Sequence, residues 1–328
     1  MIQTILFSML LIFFLYILIK SSDYLVECAT IIGKKLNISY FIIGLTIVAI
    51  GTSLPELVSV VFGLLFSSTG GEFLTGTIIG SNIANSLLIM SALVLFLHVK
   101  LDYLSIQNIV FLTISTVSFS LLLYFNMINV TISKLFIILF FSYVYLLVIS
   151  KQSTSSQNSE LEEELNEHIE HTWLEKQQLS VVVAILVFAA IVLSLSARGI
   201  VFSIDELAQL FSIPQFILTF TTLALATSLP EMAVTIQSVR KEQYNLAFGN
   251  IIGSNISNIL LIGGIGMMIA TIQNISITID LLSISSLFLS LILLLLTTLL
   301  SSPKRNKFIA GILFVVYIII IIVSIVGV

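Results

Sequence analysis

The chain has 328 residues, 58% of them hydrophobic and only 9% charged, with a net charge of −4 and a mean hydropathy of +1.17. A soluble domain of this size does not bury that much apolar surface, so the composition indicates a helical protein with many membrane spans. The apolar runs are continuous, which argues against a membrane β-barrel, and the lack of a basic block argues against a nucleic-acid partner.

Ten transmembrane helices are predicted along the chain. The first apolar run lacks a basic region and a small-residue cleavage pattern, so it is interpreted as a span and not as a removable signal. The predicted spans cover 3–32, 40–66, 74–97, 104–125, 131–150, 179–209, 214–239, 245–271, 278–300 and 308–327.

A polar segment separates the fifth predicted span from the sixth and is rich first in Ser and Gln and then in acidic residues. The sequence therefore predicts a first five-helix repeat at 1–150, an acidic linker at 151–178 and a second five-helix repeat at 179–328. The linker is interpreted as solvated chain. The alternatives are a regulatory switch and a metal-binding pair of His168 and His171.

The basic residues give the orientation, because nearly all of them fall on one side of the ten-span arrangement. The positive-inside rule makes that side cytoplasmic, with the linker, and leaves both termini extracellular. Five spans per half is an odd number, so the second half enters with opposite polarity, as in the inverted repeats of secondary transporters. The basic residues concerned are Lys34, Lys35, Lys100, Lys151, Lys176, Arg240, Lys241, Lys304, Arg305 and Lys307.

Two polar strings occur once in each half. GTSLPEL at 51–57 returns as ATSLPEM at 226–232, and IIGSNIANSLLI at 78–89 returns as IIGSNISNILLI at 251–262. Simple duplication of a structural scaffold explains similar hydropathy but not two matching polar strings inside apolar spans. The strings therefore favour a transporter whose site lies near the membrane midplane between the repeats.

The first string contains a glutamate, Glu56 or Glu231, directly after a proline that removes a helix hydrogen bond and frees carbonyls near Thr52 and Thr227. Inserting each carboxylate into a membrane costs roughly 2.5–3.5 kcal/mol, and two facing carboxylates also repel each other. A cation removes both penalties. Ca2+ takes six to eight oxygen ligands, whereas zinc or copper would need nitrogen or sulfur. A proton relay through the two glutamates is the rival interpretation.

The second string supplies hydroxyl and amide groups spaced four residues apart. Ser81 with Asn85, and Ser254 with Asn258, offer neutral oxygens that suit Na+ or complete a Ca2+ shell. The glycines of the same region predict close approach between helices. They are Gly76, Gly80, Gly249 and Gly253.

Charged residues occupy matching positions of the first and sixth spans. They are Asp23 and Arg198. One interpretation makes them charges that line a water path, and the other makes them snorkelling or helix-end residues.

These strings resemble the two α-repeats of the cation/calcium antiporter superfamily, and especially the prokaryotic sodium/calcium exchangers. The resemblance implies an all-α membrane protein of ten helices in a prokaryotic plasma membrane. It implies Ca2+ binding by Glu56 and Glu231 with Thr52 and Thr227, and exchange against Na+ without an organic cofactor. It also implies alternating access, in which one helix pair slides against a core. The implied Na+ ligands are Ala49, Ser53, Ser81, Ala224, Ser228 and Ser254.

The second string departs from the family pattern at Asn258, where well-known sodium/calcium exchangers have Asp. Two carboxylates balance one Ca2+ or two Na+, so the family's third Na+ is in question, and no K+ requirement is expected. The alternative function is a Ca2+/H+ antiporter that uses the same two glutamates as proton carriers. A channel fits the inverted repeat poorly, and an enzyme would need a nucleophile–base set that the strings lack.

Overall fold

A computed structural model describes residues 2–66, 70–97, 103–150, 173–211, 215–277 and 279–326. Within those ranges the chain forms ten long helical segments and no strand. A short 3-10 turn, Trp173–Lys176, precedes the sixth helix. The long helices are α1 Ile2–Leu36, α2 Tyr40–Phe66, α3 Gly70–Phe96, α4 Tyr103–Tyr124, α5 Val130–Ser150, α6 Leu179–Leu210, α7 Gln215–Arg240, α8 Tyr244–Gln273, α9 Leu281–Leu300 and α10 Asn306–Val326.

Nine of the described helices are long and apolar enough to cross a membrane, which confirms an all-helical membrane fold. α7 has 26 residues but is not among those nine. The count of ten spans, their inverted arrangement and the three predicted domains stay predictions. Lys100 and the predicted linker residues up to 172, including Lys151, His168 and His171, lie outside the described residues.

The helices that carry the repeated strings lie in the middle of the molecule. α2, α3 and α8 are largely enclosed by other helices, whereas α1, α5 and α10 expose most of their apolar surface. A large apolar cluster joins α3 and α8 to α4, α5, α9 and α10. A second cluster lies mainly between α1 and α6, which pack along each other. The fold therefore divides into an α1–α6 pair and a larger core.

The first turns of α2 and α8 touch backbone to backbone. A Cβ atom on Gly249 would lie 2.3 Å from the carbonyl oxygen of Phe41, and one on Gly253 would lie 2.2 Å from that of Leu45. The predicted close approach is therefore confirmed for these two glycines. At their repeat equivalents Gly76 and Gly80 a Cβ would meet no described residue within 4 Å, so close approach there stays a prediction.

Polar contacts tie α1 to two other parts of the chain. Lys34 forms an ion pair of 2.6 Å with Glu175, in the 3-10 turn that precedes α6. Lys241, just after α7, forms an ion pair of 2.7 Å with Asp23 of α1. One turn earlier, the side-chain amide of Gln237 donates to the carbonyl oxygen of Ile19 at 3.3 Å. α1 thus covers the C-terminal half of α7.

Candidate cation site

Two carboxylates lie buried between the helices of the repeated strings. Glu56 is 1% exposed and Glu231 is 0% exposed, and the two interact electrostatically. Ser81 Oγ donates to Glu56 Oε1 at 3.3 Å. Glu56 Oε2 and both carboxylate oxygens of Glu231 have no hydrogen-bond partner among the described residues. Three acceptor oxygens therefore remain available at the point where the two halves meet.

The helix in front of Glu56 is interrupted, as Pro55 predicts. α2 loses helical geometry at Ser53, which has φ −84° and ψ 6°. The N–H of Ser53 still bonds to the carbonyl oxygen of Ala49 at 3.0 Å, and the N–H of Leu57 bonds to the carbonyl oxygen of Ser53 at 3.2 Å. Pro55 has no N–H to offer to Gly51, so the carbonyls of this turn are released from the helix pattern.

The equivalent interruption is absent from α7, and the carbonyl expected to be freed near Thr227 stays a prediction. α7 keeps helical backbone from Gln215 to Arg240 with Pro230 inside it. Membrane helices tolerate such a proline when neighbouring groups and small adjustments satisfy the freed carbonyl. The two copies of the string thus share a sequence but differ in backbone form.

Thr52 connects the break in α2 to the second half of the chain. Its hydroxyl lies 3.2 Å from Asn250 Oδ1 and 3.2 Å from Ser254 Oγ, both on α8. The hydroxyls of Thr52 and Ser53 are also close enough to influence the carboxylate of Glu231, although neither reaches hydrogen-bond geometry. Two hydroxyls of α2 therefore lie near the carboxylate that α7 supplies.

Four buried asparagines join α3 to α8 through two bonds that the repeat relates to each other. Asn85 Nδ2 donates to Asn255 Oδ1 at 3.1 Å, and Asn258 Nδ2 donates to Asn82 Oδ1 at 3.1 Å. The donors' own oxygens, Asn85 Oδ1 and Asn258 Oδ1, are buried without a hydrogen-bond partner in the described ranges. We call these four residues the asparagine clamp. The hydrogen bond fixes the orientation of each donor amide and leaves its oxygen available to another partner.

A π-type turn carries each donor of the clamp. These wider turns span Ala84–Ile89 in α3 and Ser257–Ile262 in α8, so Asn85 and Asn258 are the second residue of each. A π-type turn is a rare departure from α-helical geometry that occurs often at functional sites. Unlike the proline break, this feature is present in both repeats.

Arg198 of α6 is the charged residue that acts on the site from outside it. Its Nη2 donates to Ser59 Oγ at 3.3 Å, one turn beyond Glu56 on α2. Its positive charge also acts on the carboxylate of Glu56, though less strongly than Glu231 does. The α1–α6 pair therefore contacts the core close to the candidate site.

Most of the predicted site residues gather around the two carboxylates. Ser81 and Ser254 reach Glu56 and Thr52, and the carbonyl oxygen of Ala49 accepts from Thr52 Oγ1 at 3.3 Å. Ser53 and Ser228 are buried with hydroxyls that lack a partner among the described residues. The backbone of Ala224 and Thr227 lies in α7, but their side chains fall outside the described part.

The sequence analysis missed three residues of this region. They are Asn82, Asn250 and Asn255, all buried to 1% exposure or less. For Asn82 and Asn255 a signal was present, because each is the last letter of the GSN that both copies share. Asn250 has no such signal, since its repeat equivalent is Thr77.

Sequence comparison assigns the chain to a known protein family. The family model described as sodium/calcium exchanger protein matches residues 6–149 and 181–326. This chain belongs to that family. Its members are exchangers, so the expected transport role is supported over an enzymatic one.

Two relatives illustrate the range of similarity. The inner membrane protein YrbG of Escherichia coli (strain K12) is 34% identical over 262 residues, which is 79% of each chain. The sodium/calcium exchanger MaX1 of Methanosarcina acetivorans is 29% identical over 289 residues, which is 76% of this chain and 79% of that one. Together with the nine candidate spans, they establish an integral membrane protein of the exchanger family.

The solved structures agree in fold. The sodium-calcium exchanger NCX_Mj, soaked with 10 mM Na+ and zero Ca2+, superimposes with a TM-score of 0.77 at 23% identity. The match covers 97% of this chain and 99% of that one. At this sequence identity the similarity supports the fold alone. The identity of the bound ions is inferred from the residues present in this chain.

Proposed function

We propose that this protein exchanges Ca2+ for Na+ across the membrane by alternating access, with Glu56 and Glu231 forming one ion site shared by both halves. The observation that carries this proposal is the pair of buried, interacting carboxylates with three oxygens that have no partner among the described residues. Two such carboxylates repel each other, and a bound cation compensates both charges. Family membership favours Ca2+ as that cation.

The surrounding groups divide into ligands for the two ions. Ca2+ prefers six to eight oxygens, which two bidentate carboxylates and the carbonyls of Thr52 and Thr227 begin to supply. Na+ takes the neutral oxygens beside them. These belong to Ala49, Ser53, Ser81, Asn85, Ala224, Ser228, Ser254 and Asn258.

The charge of the site bears on the number of ions exchanged. Two carboxylates balance one Ca2+ or two Na+, because Asn258 brings no charge. Arg198 adds a positive charge that acts on Glu56. A third Na+ would therefore leave excess positive charge, and we expect neither a third Na+ nor a K+ requirement.

The glycine contacts support a site that opens to the outside. In the proposed inverted topology α7 is also a span, the seventh along the chain, and the positive-inside rule makes the first turns of α2 and α8 cytoplasmic. Gly249 and Gly253 hold these helices in backbone contact, whereas a Cβ on Gly76 or Gly80 of the outer half would meet no described residue within 4 Å. A groove of about 380 Å³ lies beside Gly76. Its lining also includes Glu72, Thr75, Ile79, Ile279, Asp280 and Ser283.

The second candidate is a Ca2+/H+ antiporter. Buried carboxylates with partnerless oxygens are also suited to carry protons, since one member of a close pair tends to hold a proton. The geometry of the ligands is the same in both cases. Only the counter-ion differs.

Transport in vesicles separates the two candidates. Purified protein in liposomes is given radioactive Ca2+ with an imposed Na+ gradient, with an imposed pH gradient, or with neither, while the membrane potential is held constant. We expect uptake under the Na+ gradient alone. Uptake driven only by the pH gradient would overturn the Na+ assignment and establish the proton as counter-ion.

A further inference from the structure

α7 carries a row of buried polar side chains that continues from Glu231 toward its C-terminus. Ser228, Glu231, Thr235 and Ser238 are all 3% exposed or less. The hydroxyl oxygens of Ser228, Thr235 and Ser238 have no hydrogen-bond partner among the described residues, and neither do the carboxylate oxygens of Glu231. We call these four residues the α7 polar row.

Many buried hydroxyls of this protein bond to the carbonyl one turn earlier, as Thr116 does to Leu112 at 2.8 Å and Ser290 does to Leu287 at 2.8 Å. That bond is the usual way for a membrane helix to satisfy serine or threonine. The three hydroxyls of the α7 polar row do not form it, and this exception is shared by Ser53, Thr77, Ser120 and Ser257 in other helices. An unpaired buried polar group lowers the stability of the fold by about 1–3 kcal/mol. A row of such groups therefore indicates a functional role and not a packing role.

Helical spacing puts the row on one face, because its members are three, four and three residues apart. On one side of it lies Val234, which packs in the α1–α6 cluster. On the other lie Met232 and Val239, which pack against the core cluster. Ile236, on the far side of the helix, is 40% exposed. The row therefore points inward, along the seam between the α1–α6 pair and the core.

The row is not a by-product of the internal repeat. The 175-residue offset between Glu56 and Glu231 relates Thr235 to Val60 and Ser238 to Gly63. Val60 is fully buried among apolar residues of the core cluster. Polar groups beyond the glutamate are thus specific to α7, whose C-terminal end is the cytoplasmic one in the proposed topology.

We propose that Thr235 and Ser238 of the α7 polar row line the cytoplasmic half of the ion path, passing partly hydrated cations between the Glu231 carboxylate and the cytoplasm. Hydroxyl oxygens can replace water around Na+ or Ca2+ at each step without holding the ion tightly. The identity of the cations rests on the proposed exchange function. The position of a water-filled path does not.

The path is covered on the neighbouring face of the same helix. Gln237 bonds to the carbonyl oxygen of Ile19, and Lys241 pairs with Asp23, so α1 lies against α7 beside the row. The backbone contact at Gly253 closes α2 onto α8 nearby. Opening requires the α1–α6 pair to move relative to the core, which exposes the row to the cytoplasm.

Cysteine accessibility during exchange tests the path directly. The single native cysteine is first removed by Cys28→Ala, and Ser238→Cys is then introduced into the full chain. A positively charged, membrane-impermeant thiol reagent is applied to right-side-out or inside-out vesicles with Na+ on one side and Ca2+ on the other. We expect modification of Ser238→Cys from the cytoplasmic face only.

The matched control is Ile236→Cys, two residues away on the exposed apolar face of the same helix. A thiol in apolar surroundings ionises and reacts poorly, so Ser238→Cys should react about tenfold faster or more. Thr235→Cys repeats the measurement should Ser238→Cys fail to fold. Equal rates for path and control positions, reaction only from the extracellular face, or no reaction from either face would overturn the path.

The experiment also separates this inference from the proposed function. If protons rather than Na+ drive Ca2+ transport, cytoplasmic modification of Ser238→Cys under a pH gradient still supports the path. If exchange is driven by Na+ but Ser238→Cys and Thr235→Cys stay unreactive, the path is wrong while the proposed function stands.

Discussion

Asn85 of α3 donates its side-chain amide to Asn255 of α8, and the repeat duplicates this bond with Asn258 as donor and Asn82 as acceptor. Each bond crosses from one half of the chain to the other. It holds the donor amide so that the oxygen of Asn85, or of Asn258, is left for another partner. Residues outside the ion's own ligands thus fix the orientation of two proposed ligands.

Asn255→Leu removes the acceptor and frees the Asn85 amide to turn its N–H groups toward the cation. Loss of a buried hydrogen bond costs about 1–3 kcal/mol, which corresponds to binding weaker by roughly 5- to 150-fold. We expect the half-saturating Na+ concentration for Ca2+ efflux to rise by a factor in that range. Asn255→Asp keeps an acceptor and should restore part of the loss. Ser86→Ala, which removes only the acceptor of Asn255 at 2.9 Å, is the control. An unchanged Na+ dependence in Asn255→Leu would contradict this role.

The carboxylates themselves give the largest expected effect. Glu56→Gln and Glu231→Gln are nearly isosteric but remove the charge that balances Ca2+, so Ca2+ transport should be abolished in both. Radioactive Ca2+ uptake measures this, and thermal unfolding in detergent checks that the variants are folded. Glu242→Gln, an exposed glutamate between α7 and α8, is the control and should retain transport. Full transport in either buried variant would refute the site.

Substitution by alanine should have a large effect at one of two glycines that the repeat relates and little effect at the other. In Gly253→Ala the new Cβ would lie 2.2 Å from a backbone carbonyl of Leu45, so α2 and α8 must separate. In Gly80→Ala the new Cβ would meet no described residue within 4 Å. We expect Gly253→Ala to lower thermal stability and speed cytoplasmic modification of Ser238→Cys, and Gly80→Ala to leave both nearly unchanged. Similar behaviour of the two variants would contradict an outward-open arrangement.

The ion pair between Asp23 and Lys241 should favour the state in which α1 covers α7. Both side chains are about one-third exposed, and such pairs contribute about 0.2–1 kcal/mol, or up to roughly fivefold in population. Asp23→Asn should therefore speed cytoplasmic modification of Ser238→Cys by no more than that factor. The charge swap Asp23→Lys with Lys241→Asp should return the rate toward that of the parent. If the effect of the double swap on the modification rate equals the combined effects of the two single substitutions, the two residues are not coupled.

Arg198 should weaken cation binding through its charge. Its guanidinium acts electrostatically on Glu56, so Arg198→Gln removes a positive charge that competes with the ion. We expect a lower half-saturating Ca2+ concentration in Arg198→Gln, by a few-fold because the guanidinium is exposed, and little change in Arg198→Lys. Because charge effects are screened by salt, the gain should shrink as an impermeant salt is raised. Equal Ca2+ affinity in Arg198→Gln and the parent would exclude this effect.

The sequence alone identified the glutamates and most of their surroundings, because a carboxylate in an apolar span needs compensation wherever the helices lie. It did not identify the asparagine clamp, although Asn82 and Asn255 are conspicuous in both copies of GSN. Their importance depends on the register between α3 and α8, which are far apart in sequence. Hydropathy gives the spans but not which face of one helix meets which face of another.

The two copies of each string also differ in structure in ways that their shared sequence does not predict. Identical strings predicted identical structure, yet α2 is interrupted beside Pro55 while α7 stays helical through Pro230. Likewise Gly253 is in backbone contact, whereas a Cβ on Gly80 would meet no described residue within 4 Å. In the proposed inverted topology, a protein open on one side only must place equal sequences in unequal surroundings. The amino-acid sequence alone does not indicate which half is closed.

The bonds from α3 to α8 and from Thr52 to Asn250 and Ser254 have a consequence for biosynthesis. Helices α1 to α5 leave the ribosome before the residues that complete their polar contacts exist. During that interval Thr52, Asn82 and Asn85 lie in an incomplete protein without the partners that α8 will supply. A chain that stops after α5 should therefore be unstable in the membrane and should be degraded rapidly by membrane proteases. Insertion of α8 should supply the missing partners and stabilise the first half.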